Sequence, residues 1–173
     1  NHLSYLDGFL LSAVLPYEVL RRCRWLAWEK PIKANPFSRA VGRLARAVPI
    51  DPGGGYLESL GVGAAILHGE NNLIMFPEGR VSRSGELQPF ESGIGYLLEF
   101  FDVPVLPVAI EGTDEALPYG QWAPRPGTDV SIEFGNPVGK EELLERNEDR
   151  EHETKQERIS RSLHDRVANL LND

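Results

Sequence analysis

Cysteine is almost absent: Cys23 stands alone in 173 residues. No internal disulfide is possible, which fits a reducing compartment. His2, His68, His152 and His164 are scattered with no zinc-site spacing, so no metal and no cofactor are implied. No apolar run reaches about eighteen residues, so no membrane-spanning helix is encoded here, and no signal peptide is visible. A Gly-x-Ser-x-Gly nucleophile elbow is missing, which disfavours a serine hydrolase. Asp51-Pro52-Gly53-Gly54-Gly55 is rich in glycine, but no Gly-Lys-Ser/Thr follows it. It is therefore no nucleotide P-loop and reads as a flexible connector. An initiator Met is also lacking: the chain opens on Asn1-His2, which suggests a piece of a longer protein.

What is present describes an ordinary globular chain, 41% hydrophobic and 25% charged, of a length that suits one domain over residues 1–173. The net charge is -8, yet Arg21, Arg22, Arg24, Lys30, Lys33, Arg39, Arg43 and Arg46 fall in a span whose only acid is Glu29. A basic stretch on an acidic chain suggests an anionic partner: lipid headgroups, the phosphates of a coenzyme, or an acidic carrier protein. No nucleic-acid motif accompanies it, so nucleic acid is not expected. The plain alternative is a solvated face.

Along the chain, apolar segments predict a helix over 4–15, a strand over 24–29 carrying Trp25 and Trp28, and a helix over 36–46 with Phe37, Val41, Leu44 and Ala45 inward. A short strand at 47–50, a helix at 56–68 and a strand at 72–75 follow. Further on come a helix at 90–101, a doubly buried strand at 105–110 and a half-exposed edge strand at 128–134. This alternation predicts an α/β fold with a largely parallel mixed sheet flanked by helices over 1–137. Residues 138–173 read as C-terminal helices, the last laid on the core by Ile159, Leu163, Val167 and Leu170.

Two stretches carry chemistry. Phe76-Pro77-Glu78-Gly79-Arg80 leaves the 72–75 strand through Pro and Gly, which delivers Glu78, Arg80 and Arg83 on a loop at a strand's carboxyl end. Ligands bind there in open α/β sheets, and arginine forks onto phosphate oxygens. The bland reading is a solvated Arg80–Glu78 ion pair. At the start of the chain, His2 and Asp7 are separated by roughly 500° of helical rotation, so one helix cannot bring them together. They meet if His2 lies in a turn before a helix starting near Ser4. Asp7 could then complete a capping box with Ser4, orient the His2 ring, or do both.

Asn1-His2, four residues, Asp7, and then Phe76-Pro77-Glu78-Gly79 together resemble the glycerolipid acyltransferase family. Val48-Pro49-Ile50-Asp51 and Val103-Pro104-Val105-Leu106-Pro107-Val108-Ala109-Ile110-Glu111-Gly112 match two further blocks of it, and the likeness runs over roughly residues 1–137. The resemblance implies a glycerol-3-phosphate acyltransferase-like fold. It implies transfer of a fatty acyl group from a thioester, on coenzyme A or acyl carrier protein, to a lysophospholipid hydroxyl. His2 and Asp7 would be the catalytic dyad. Asn1, Glu78, Gly79, Arg80, Arg83 and Pro107 would serve the substrates, Pro107 on the acyl-chain side. A membrane surface, met through 21–46 at the cytoplasmic face, would be a partner.

Three positions depart from the common family pattern. Arg80 and Val81 stand where many members have Thr and Arg, Pro52 follows Asp51 where many have Arg, and Glu91 replaces a frequent lysine. The first two resemble the branch that acylates lysophosphatidylethanolamine, in which the domain is fused to an acyl-activating ligase or joined to a transporter domain. They disfavour an acceptor with a bare phosphomonoester. Rival readings are a non-catalytic lipid-binding module and a thioester or lysolipid hydrolase.

Overall fold

The structure, a computed structural model, describes residues 1–33, 35–51, 56–121, 123–145 and 152–172. Pro52 and the glycines 53–55 lie outside the described residues. The chain divides into two compact units, Gly8–Met75 and Asn1–Asp7 with Phe76–Asp173.

The first unit runs through helices α1 (Asp7–Val14) and α2 (Tyr17–Leu20), strand β1 (Cys23–Trp28), helices α3 (Glu29–Lys33) and α4 (Pro36–Leu44), strand β2 (Ala47–Ile50), helix α5 (Tyr56–His68) and strand β3 (Asn72–Ile74). The strands form a parallel sheet in the order β2-β1-β3, with Trp25 opposite Ala47 on one side and Ile74 on the other. Parallel neighbours need long crossovers, and α4 and α5 supply them. Trp25 is buried, and its indole N–H donates to the Ala45 carbonyl at 2.6 Å. A Cβ at Gly8 would come within 3.0 Å of that ring, so glycine lets the two meet. Trp28, at the strand's end, stays exposed.

Helix ends differ from the sequence reading for local reasons. The 4–15 helix begins only at Asp7, because the backbone of Leu3 and Ser4 bonds to the Asp7 carboxylate instead of winding. The 36–46 helix stops at Leu44; Arg46 has φ 58°, left-handed backbone that ends a helix. Leu44, expected inward, is 81% exposed at that end. The strand expected to reach Glu29 ends at Trp28, and Glu29 instead opens α3 and pairs with Lys33 one turn on.

The second unit contains α6 (Gly93–Phe100), β4 (Val108–Glu111), α7 (Thr113–Ala116), β5 (Ser131–Phe134), α8 (Lys140–Glu145) and α9 (Lys155–Leu170). Its core is Leu98, Val138, Leu143, Ile159 and Leu163, with Phe90, Ile94 and Val105 packed against it. The apolar stripe expected on the last helix is therefore the one that seats it. Thr154 and Glu157 close a capping box at its start. Gly95 lies so close to α9 that a Cβ there would be 2.3 Å from the Gln156 carbonyl oxygen.

Two expectations are corrected here. The run 105–110 is not one parallel strand: Pro104 and Pro107 remove ladder donors, Val105 makes an isolated bridge with Val138, and only Val108–Glu111 pairs, antiparallel, with β5. The helix expected from Phe90 begins at Gly93, because the Glu91 amide donates to the Pro77 carbonyl and Phe90 packs into the core. The α/β class, the parallel sheet flanked by helices and the C-terminal helix are as expected.

Candidate active site

The site is built from residues 1–7, 76–88 and 108–119, all within the second unit. The Asp7 side chain is fully buried. One of its oxygens accepts from His2 Nδ1 at 2.7 Å, from the Leu3 amide at 2.7 Å and from the Ser4 amide at 2.9 Å. The other accepts from the Thr113 hydroxyl at 2.6 Å. A carboxylate held by four donors has one available orientation. A carboxylate there suits the neutral imidazole tautomer that carries its proton on Nδ1 and presents its lone pair at Nε2. The His2 side chain is 18% exposed, so the ring is reachable from solvent.

The anticipated capping box forms by half. Asp7 accepts from the Ser4 amide, but the Asp7 amide donates to the Ser4 carbonyl at 3.2 Å rather than to the Ser4 hydroxyl, which itself donates to the Leu117 carbonyl at 2.9 Å. Both ends of α7 thus grip the His2–Asp7 turn, Thr113 through Asp7 and Leu117 through Ser4.

Glu78 is 3% exposed. It accepts from the His2 amide at 2.5 Å and from the Gln88 amide at 2.8 Å. Among the described residues no ion pair joins it to Arg80, so the solvated-pair reading does not describe this loop. Burial pushes its carboxyl above the ordinary 4.5, against the opposing pull of the two amides and the His2 ring. The His2 carbonyl accepts from the Ser82 amide at 2.8 Å, and the His2 ring stacks on Phe76 with centroids 4.1 Å apart. The Phe76–Arg83 loop therefore holds His2 by backbone and by ring. Gly79, at φ 70°, makes that loop's turn where a side chain would be strained.

The remaining sequence-derived residues are placed as follows. The Asn1 side chain exchanges two 2.7 Å hydrogen bonds with the backbone of Ile110 in β4, and it is buried. Arg80 is exposed. Arg83 is exposed too, its guanidinium 4.9 Å from the centre of the Tyr119 ring, and Tyr119 in turn stacks on Tyr5 at 6.2 Å. Pro107 is buried, and its carbonyl accepts from Gly135 just past β5. Sequence reading missed Phe76, Gln88, Thr113 and Tyr119. Phe76 lay inside a motif already singled out; Thr113 directly follows the last one, which ends at Gly112.

A cleft of about 380 Å³ opens beside Asn1 and Leu3. Glu86, Glu111 and Asp114 line it, which disfavours an anionic group there. Among the described residues no cluster of three His, Cys, Asp or Glu could hold a metal, and no helix is long and apolar enough to cross a membrane.

The family model described as Acyltransferase matches residues 1–111. The chain is 26% identical over 145 residues to a 1-acyl-sn-glycerol-3-phosphate acyltransferase of Limnanthes douglasii, covering 82% of this chain and 50% of that protein. It is 30% identical over 156 residues to a protein named Taffazin from Dictyostelium discoideum, covering 83% of this chain and 55% of that one. It thus spans about half the length of these curated relatives. Among solved structures it is similar to the 1-acyl-sn-glycerophosphate acyltransferase PlsC from Thermotoga maritima. That likeness has a TM-score of 0.73 at 23% identity and covers 99% of this chain and 62% of that one.

Proposed function

The chain belongs to the acyltransferase family, and on that premise we propose that it moves a fatty acyl group from an acyl thioester to a hydroxyl of a lysophospholipid. The observation that carries this reading is the buried Asp7 carboxylate bonded to His2 Nδ1 at 2.7 Å, which leaves Nε2 as a base. An alcohol is a poor nucleophile at neutral pH, so the reaction needs such a base beside the acceptor hydroxyl. Nε2 takes the hydroxyl proton as the oxygen attacks the thioester carbonyl. The C–S bond then breaks, and the leaving sulfur takes the proton back as thiol. Asp7 stabilises the imidazolium that forms between the two steps. Coenzyme A and acyl carrier protein both present such a thioester.

Arg80 and Arg83 are the proposed phosphate contacts: both are exposed, and Tyr119 braces Arg83. Pro52 and Val81 stand where many relatives carry arginine, which leaves less charge for a phosphomonoester. Lysophosphatidylethanolamine is therefore the proposed acceptor over lysophosphatidic acid. Exposed Arg39 and Arg43 on α4 favour an anionic membrane surface as the place of work, at the cytoplasmic face where the thioester donors are.

The test offers labelled acyl thioester with each lysolipid, and with neither, to wild type and to His2→Ala. Acyl transfer faster to lysophosphatidylethanolamine, and depressed on the order of a hundredfold or more in the variant, is expected. Free fatty acid alone would make the protein a hydrolase. No turnover would make it a binding module. Wild-type turnover in His2→Ala would remove the dyad from the mechanism.

A further inference from the structure

Thr113 lies outside the motifs that suggested the site, yet it meets the deepest group in it. Its hydroxyl donates to the Asp7 oxygen that His2 does not use, at 2.6 Å, and its side chain is fully buried. The neighbouring backbone is shaped to deliver it. Gly112 has φ 75°, and a Cβ there would lie 2.1 Å from the Asp129 carbonyl oxygen, so the junction of β4 and α7 admits glycine alone without shifting. The turn at Gly112 sets Thr113 as the first residue of α7, and Leu117 at the far end of α7 accepts from Ser4.

We propose that Thr113 is a positioning residue for acyl transfer. Its hydroxyl fixes the rotation of the Asp7 carboxylate, and through it the Nδ1-protonated tautomer of His2 that leaves Nε2 unprotonated. The reasoning is geometric. The Leu3 and Ser4 amides and His2 Nδ1 all crowd one carboxylate oxygen. Thr113 supplies the side-chain donor to the other. Without it, the carboxylate has a buried oxygen with no donor among the described residues and gains by rotating to share its donors, which releases the His2 ring. The inference rests on the dyad reading above.

The test compares Thr113→Val, which keeps shape and removes the hydroxyl, with Thr113→Ser, which keeps the hydroxyl. Turnover is measured alongside the side-chain ¹⁵N spectrum of His2 in the full chain. The expected result for Thr113→Val is a kcat lowered about tenfold to a hundredfold at little-changed KM, and a mixture of imidazole tautomers. Thr113→Ser should restore both the single tautomer and most of kcat. Thr113→Cys, a weak donor of similar size, stands in if the valine variant does not fold, and should fall between the two. A single tautomer and wild-type kcat in Thr113→Val, or equal losses in the valine and serine variants, would overturn the inference. His2→Ala run in parallel separates the two failures: if it keeps wild-type turnover the dyad reading falls, and if it is inactive while Thr113→Val is normal only the role of Thr113 falls.

Discussion

Glu78 has no salt-bridge partner among the described residues; it holds a loop. Its carboxylate binds the backbone of His2 on one side and of Gln88 on the other, in a buried setting that raises its proton affinity. A carboxyl whose folded pKa lies above its unfolded one contributes stability below the unfolded value and loses it as pH rises through the folded value. Wild-type stability should therefore fall as pH rises above about 4.5, relative to Glu78→Gln, which does not titrate. Urea denaturation of both proteins across that range is the measurement, and a difference that stays constant with pH would refute the assignment. Asp7→Asn should act differently. Its oxygen can still accept from Nδ1 and the two amides while its NH2 turns to the Thr113 hydroxyl, but the charge that stabilises the imidazolium is gone, so turnover should drop by a factor on the order of a hundred or more. The Nδ1-protonated signal of His2 should persist, which separates loss of charge from loss of orientation.

Close approach between elements rests on particular glycines. Gly95 lets α6 cross α9 at the Gln156 backbone, where a Cβ would be 2.3 Å from the carbonyl oxygen. Gly95→Ala should destabilise the protein by about 1–3 kcal/mol through overpacking. Gly61, inside α5, meets nothing within 4 Å at the same position, so Gly61→Ala should stabilise by roughly 0.5–1 kcal/mol through helix propensity. Thermal denaturation followed by circular dichroism reads both, and shifts of the same sign would contradict the packing argument. The neighbour that Gly95 approaches, the backbone of α9, is known only from the fold.

Charge is divided unequally over the molecule. Gly8–Met75 contains eight basic and five acidic residues, a net +3, while the other unit carries ten basic and 21 acidic ones, a net -11. In the first unit Arg21, Arg22, Lys30, Lys33, Arg39 and Arg43 are exposed. Arg21 and Lys33 are paired with Glu18 and Glu29. Tyr17 at 70% and Leu57 at 81% add exposed apolar surface to the same unit. A surface of this kind should bind anionic vesicles and release them as salt rises, since the Debye length is only about 8 Å at physiological ionic strength. Arg39→Glu with Arg43→Glu should weaken binding further. Equal sedimentation with neutral and anionic vesicles would return the basic stretch to a solvated face.

Local pattern determined a good deal. Apolar periodicity determined the helix at 56–68 to the residue and the three strands of the parallel sheet to within a residue or two, because burial of one face is written every second or fourth position. The His2–Asp7 spacing and the Phe76–Arg80 stretch marked the site, because a turn before a helix and a Pro-Gly exit from a strand are short-range events. Tertiary structure decided the rest. It decided that β4 pairs antiparallel with β5, a choice two prolines left open. It turned the Asn1 amide onto Ile110, 109 residues away, and the Thr113 hydroxyl onto Asp7, 106 residues away. No periodicity encodes such contacts. A buried amide or carboxylate accepts whatever donor the folded backbone brings to it, and which donor that is depends on how distant segments pack.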